Sequence, residues 1–238
     1  MLRRSHYIIP VSDSSYNASV NSSTAASLQQ PMPRIATARW GENEFFGGVA
    51  VAALYVDSQR TRALAGLSAL GDWSRLALPQ AEALAGLIER IVPADRLLIE
   101  PARYNKACSG KGGPAELMQW AHRRVCEQLL ARFPASQMVL CRLPADGRPE
   151  RLTLESEVPT VSPGPGFEDV ALEAAGALAR WLYLDRRATL AQKMGLCLEG
   201  DARQVGAGIL REHGEAILRQ IAKVHQPTGT DILTGGKV

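Results

Sequence analysis

The chain has 238 residues, of which 46% are hydrophobic and 21% charged, enough to bury one substantial core. Its net charge of +3 permits contact with nucleic acid without requiring it, and excludes a polybasic or acidic tail protein. Four scattered cysteines, Cys108, Cys126, Cys141 and Cys197, lack zinc-finger spacing. The longest apolar run, Val49 to Val56, falls far short of the roughly 20 residues a bilayer span takes. Arg3 and Arg4 precede only the brief YIIPV, too short for a signal-peptide core. These features predict a cytoplasmic protein with free thiols and no membrane segment.

Residues 11–33 are dominated by Ser, Asn, Thr, Ala and Gln, with too few large apolar side chains to offset the entropy of ordering them. A disordered leader is expected, placed at 1–33. From Arg34, RIATARW and GGVAVAALYV read as two strands joined by a glycine-bearing turn, an antiparallel hairpin. PQAEALAGLIERIV then places Ala81, Leu84, Ala85, Ile88 and Val92 at helical spacing after Pro79. RLLIE returns to strand. Beyond SGKGGP, which lacks the spacing of a phosphate-binding P-loop, a helix is expected from about Ala115 to Arg132, and QMVLCRL is the next strand.

An irregular Pro- and Gly-rich excursion, PERLTLESEVPTVSPGPGFED, precedes a helix whose Ala171, Ala174, Ala175, Leu178 and Leu182 form a narrow face suited to close packing on a sheet. ARQVGAGILREH and EAILRQIAKVH are two further helical pieces, and residues 227–238 read as a polar tail. The pattern predicts one α/β domain over 34–226, a mixed central sheet flanked by helices with helices at its C-terminal end.

Several phrases, in order, resemble the ribonuclease HII/HIII family, more closely its HIII branch. WGENEFFGG stands where that family has Val-Gly-Thr-Gly-Asp-Tyr-Phe-Gly-Pro, with Gly41, Phe46 and Gly47 matching. DWSRL (72–76) echoes its Asp-Ser-Lys-x-Leu, Tyr104-Asn105 its Tyr-Asn, and His122 stands in register with a family histidine. ALEAAGALARWLYLDR resembles its alanine-rich helix, and the stretch ending AKVH places Lys223 and His225. The resemblance implies a ribonuclease H-like fold and cutting of RNA strands in RNA–DNA hybrids, by two Mg²⁺ or Mn²⁺ ions held by four carboxylates.

Those four positions fall on Ala38, Arg39, Arg142 and Gly166. None is an acid, and two are cations that repel divalent metal. Glu42, Glu44, Asp72, Asp146, Glu168 and Asp169 lie nearby. A one-residue shift on a strand reverses the face, however, and Asp146-Gly147 suits a turn.

The expectation is a ribonuclease HIII-like protein without catalytic residues or metal cofactor. It is read as binding a nucleic-acid duplex or RNA–DNA hybrid, or as serving as a scaffold for a protein partner. Arg39, Gly41, Asn43, Arg142, Lys223 and His225 are the candidate nucleic-acid contacts, extended by Arg123-Arg124 and Arg186-Arg187 if these are more than solvated helix charges. The alternative is an active Mg²⁺- or Mn²⁺-dependent endoribonuclease with relocated carboxylates. Asp72 is expected to start a helix or lie in a loop, and His122 to be a hydrogen-bonded structural residue. HIII enzymes also carry a separate N-terminal substrate-binding domain, for which the leader is too short.

Overall fold

In the computed structural model, which describes residues 32–67, 72–110, 113–142, 152–163 and 167–235, the expected hairpin opens the domain. Strands β1 (Arg34–Trp40) and β2 (Val49–Val56) pair antiparallel from Arg34↔Val56 to Trp40↔Ala50. β3 (Ala94–Ile99) joins β2 antiparallel, while β4 (Met138–Cys141) and the short β5 (Thr160–Val161) run parallel to β1 and β4 respectively. The sheet order is β3-β2-β1-β4-β5, mixed as expected. Most of the expected leader (1–31), Asp146 and Gly166 lie outside the described residues.

Strand periodicity divides the sheet into two packed faces. On one, Ile35, Val49, Val51, Ala53 and Val139 form a core with Met118, Ala121, Val125 and Leu129 of a long helix. The helices up to that point are α1 (Ser58–Leu67), α2 (Leu78–Ile91), α3 (Pro101–Cys108) and α4 (Gly113–Arg132), the last being the long one. The other face packs against α5 (Val170–Met194), whose buried alanines oppose the small side chains of β1 and β2. Small residues on both sides let helix and sheet approach closely: a methyl group added at Gly176 would lie 4.0 Å from the Ala38 Cβ. Asp169 starts α5 by accepting from Ala171 N–H at 2.9 Å and Leu172 N–H at 3.1 Å, and Gly195 ends it in the left-handed region at φ 64°.

Two helices carried no clear period in the sequence. α1 buries only Leu64, so its inward face is a single residue wide, and the Asp57 side chain starts it by accepting from Arg60 N–H at 2.9 Å. α3 is a short turn of helix after Pro101. The two C-terminal pieces form one helical segment, α6 (Ala202–Ile221), broken at Gly214 where φ is 80°. The stretch read as a polar tail instead contains α7 (Pro227–Thr234), set by Pro at its start and Gly235 in the left-handed region after it. Its Ile232 joins Phe45, Phe46, Ile209, Leu218 and Ile221 in a second core. Among the described residues no helix is long and apolar enough to cross a membrane.

Candidate functional site

The parallel pair β1 and β4 ends at one edge of the sheet, where Arg142 N–H donates to the Thr37 carbonyl at 3.0 Å. Ala38, Arg39 and Arg142, three of the four positions that the family resemblance assigns to carboxylates, therefore sit together. The carboxyl ends of neighbouring parallel strands are where α/β sheets commonly seat ligands. Gly166 falls outside the described residues.

Alternation along β1 sends these side chains in different directions. Ala38, 2% exposed, points to α5. Arg39 lies on the α4 side with Thr37 and ion-pairs with Glu42 at 2.6 Å, its own side chain 7% exposed. Neither Nη1 nor Nη2 of Arg39 has an aligned hydrogen-bond acceptor, so the ion pair is the main compensation for its burial. Arg142 is exposed. A shallow groove of about 280 Å³ is lined by Arg39, Trp40, Gly41, Glu42, Asn43, Glu44 and Arg142. Glu42 thus faces an arginine across the groove's floor, and its charge is neutralised there.

Beneath this edge His122 is fully buried, with Nδ1 2.9 Å from the Thr37 hydroxyl and 3.6 Å from Cys141 Sγ. Burial, aided by the nearby Arg39 charge, pushes its imidazole pKa down to about 3, so it is neutral at physiological pH. Burial likewise lifts the Cys141 thiol to about 12. This is the structural histidine expected from its place on an apolar helix.

The loop from Gly41 to Gly48 is clamped from three sides. Tyr183 of α5 donates its hydroxyl to the Phe46 carbonyl at 2.9 Å, and its ring lies so close that a Cβ at Gly41 would come within 2.5 Å of it. Gly41 also has φ 89°, so a side chain is excluded on both counts. Lys223, 0% exposed, donates from Nζ to the Gly47 carbonyl at 2.8 Å, and its backbone N–H donates to the Phe45 carbonyl at 2.9 Å. Burial brings its ammonium pKa down to about 7, against the raising influence of Glu44.

Asn105 completes the clamp. Its amide donates to the carbonyls of Arg219 and Ala222 at 2.9 and 2.8 Å, while its oxygen accepts from Val224 N–H at 3.0 Å. The Tyr-Asn phrase marked this residue in the sequence, but the three-bond role was visible only once α3 and the segment after α6 came together. Gln226 also reaches the loop, donating to the Glu42 carbonyl.

Of the six candidate nucleic-acid contacts, Arg39, Gly41, Asn43 and Arg142 border one groove. Lys223 lies inside the protein, serving the loop's backbone. Exposed His225 sits elsewhere, with Nε2 3.2 Å from the Ser109 hydroxyl at the end of α3. Arg187 reaches the Leu198 carbonyl and Arg186 pairs with Glu100 at 2.8 Å, so both serve local structure.

Of the nearby acids, Glu42, Asp72 and Asp169 have partners of their own. Asp72 accepts from Ser74 N–H at 2.9 Å and pairs with Arg75 at 3.0 Å, the turn-starting role expected of it. Asp169 pairs with Arg34 at 2.8 Å, at the opposite end of β1 from Arg39, about 16 Å away at the usual strand rise. Hard divalent cations take oxygen ligands, and Ala38, Arg39 and Arg142 supply no carboxylate. No group of three or more His, Cys, Asp or Glu side chains able to hold a metal occurs among the described residues. The residues at the strand ends do not fit a two-metal centre.

No protein-family model matches the chain. Among curated proteins it is similar to ribonuclease HIII of Protochlamydia amoebophila (strain UWE25), 28% identical over 215 residues that cover 87% of this chain and 69% of that protein. It is also similar to ribonuclease HIII of Streptococcus pyogenes serotype M3, 26% identical over 231 residues, covering 91% and 74%. Among solved structures, Bst-RNase HIII in complex with Mn²⁺ superposes with a TM-score of 0.76 at 23% identity, covering 91% of this chain and 74% of that one. The ribonuclease H2 of Pyrococcus horikoshii OT3 does so with 0.65 at 16%, covering 87% and 99%. With a mixed sheet and flanking helices, the chain has the fold of these ribonucleases and is similar in sequence to ribonuclease HIII.

Proposed function

We propose that this protein is a catalytically degenerate ribonuclease HIII-like protein, which holds a nucleic-acid duplex, an RNA–DNA hybrid foremost, without cutting it. The observation that carries the reading is the pair Arg39 and Arg142 at adjacent strand ends, where two-metal hydrolysis needs carboxylates. Exposed Arg142 would meet a backbone phosphate directly, while Arg39, held by Glu42, replaces a metal site with an internal ion pair. The protein is proposed to act in the cytoplasm.

The burial of Arg39 favours a second reading, a scaffold that presents the fold to a protein partner, because it leaves Arg142 as the groove's exposed cation. An active nuclease with relocated carboxylates is disfavoured by the partners that Glu42, Asp72 and Asp169 already have.

Salt dependence separates the first two. As a duplex binder, the protein shows hybrid affinity that falls steeply with salt, and Arg142→Glu weakens it and reduces the slope of log K against log salt by about 1. No affinity at low salt removes the binding reading and leaves the scaffold, to be sought by pull-down from the native host.

A further inference from the structure

Beside the shallow groove, on the α5 side of β1, lies a deeper cavity of about 300 Å³. Trp40, Trp73, Arg142, Glu173 and Arg180 contribute to its wall, together with Asp72 and Ser74. We infer that this cavity is a binding pocket for a single nucleotide, taking a flat base together with its phosphate. The inference deepens the nucleic-acid reading and rests on it in that Trp40 and Arg142 border both concavities.

The first support is donors without acceptors. Trp73 is 6% exposed, and its indole Nε1 is buried with no hydrogen-bond partner; Nη1 of Arg180 is buried and unpartnered as well. A buried donor left unpaired costs free energy, and the two residues that carry these donors both line the one cavity, which favours a ligand rich in acceptor oxygens. The Arg180 guanidinium stands 5.6 Å from the centroid of the Trp40 ring, a cation–π contact that holds it in place before any ligand arrives. With exposed Arg142 this makes two cations and one neutral donor, the complement of a phosphate monoester.

The second support is the pair of indoles. Two tryptophans at one small cavity favour a planar aromatic group, since stacking on such rings binds bases of any identity. The volume lies at the lower end of the range for small-ligand sites, about 300–1,000 Å³. That is room for one nucleotide and too little for a duplex. Of the two acids, Asp72 is committed to Ser74 and Arg75 and its charge also acts on Arg180, leaving Glu173 as an acceptor for the N–H groups of a base.

The test is calorimetric titration of the full chain with AMP and with GMP, against inorganic phosphate and a short single-stranded oligonucleotide. One-site binding of mononucleotide or oligonucleotide, at least tenfold tighter than phosphate, is the expected result. Tighter binding of the mononucleotide identifies a free nucleotide as the ligand, and tighter binding of the oligonucleotide an unpaired nucleotide within a strand. Trp73→Phe, which keeps a ring and removes the donor, and Arg142→Ala at the exposed rim are each expected to weaken binding about tenfold. The inference is overturned if neither nucleotide probe binds at millimolar concentration, if phosphate alone binds as well, or if both variants bind like the parent. Hybrid-duplex affinity, measured on the same samples, keeps the two failures apart: a duplex binder that ignores nucleotides refutes only the pocket.

Discussion

The Gly41–Gly48 loop and the strand ends beside it are neighbours built in opposite ways. Asn105, Tyr183 and Lys223 each commit their polar atoms to the loop's backbone or to the segment holding it, with donors and acceptors matched. At the strand ends, Arg39 is buried against one carboxylate without aligned hydrogen bonds, and Arg142 extends into solvent. The scaffold that shapes the site is thus tightly specified, while Ala38, Arg39 and Arg142 offer no side-chain oxygen ligand for a divalent cation. A supporting polar network is held by stability and the groups inside it by chemistry, so the two need not vary together.

Breaking the clamp is expected to give the largest effect. Asn105→Ala removes three hydrogen bonds and leaves buried backbone groups unpaired, a loss of about 3 kcal/mol in chemical denaturation. A loss below about 1 kcal/mol would mean that the clamp is incidental and the comparison misplaced.

The next effect comes from beneath the strand ends. The unfolded His122 imidazole takes up a proton below about pH 6.5, but the buried one does so only near pH 3. Between those values the unfolded state binds more protons, so stability falls as pH drops, by up to about 1.4 kcal/mol per pH unit. Denaturation curves of His122→Gln should lack that share of the acid slope; an unchanged slope places the acid sensitivity elsewhere.

On the loop side the titrating group is Lys223, read over a narrower pH window. Its folded pKa of about 7 lies below the unfolded value of 10.5, so the unfolded state binds more protons from pH 7 upward and the residue's contribution to stability rises with pH. Taken as a difference from Lys223→Met between pH 7 and 9, in which the contribution of the thiols cancels, the wild type should gain on the variant as pH rises. Parallel curves would show an ammonium that is already solvated.

Much of this architecture could be read in the residues. The all-apolar β2, the alanine face of α5 and the Pro79-led helix carried strong periodic or composition signals. α1 did not, because a helix with one buried residue has no apolar stripe to detect. The polarity of α7 reads as tail, although Pro227 and Gly235 bracket it as start and stop signals. At the site, the non-acidic residues at 38, 39 and 142 are legible as residue types. The Arg39–Glu42 pair depends on how the loop turns back, and the burial of Lys223 depends on a segment 176 residues away. Sequence spacing carries neither.

The proposal that a ribonuclease HIII-like fold here carries no cutting chemistry is tested most directly by incubating the protein with a labelled RNA–DNA hybrid in Mg²⁺ and, separately, in Mn²⁺, and resolving the products. An intact hybrid in both metals, under conditions where a ribonuclease HIII relative cuts it, is the predicted result. Metal-dependent cleavage that disappears on Glu42→Gln, Glu44→Gln or Asp169→Asn would contradict it.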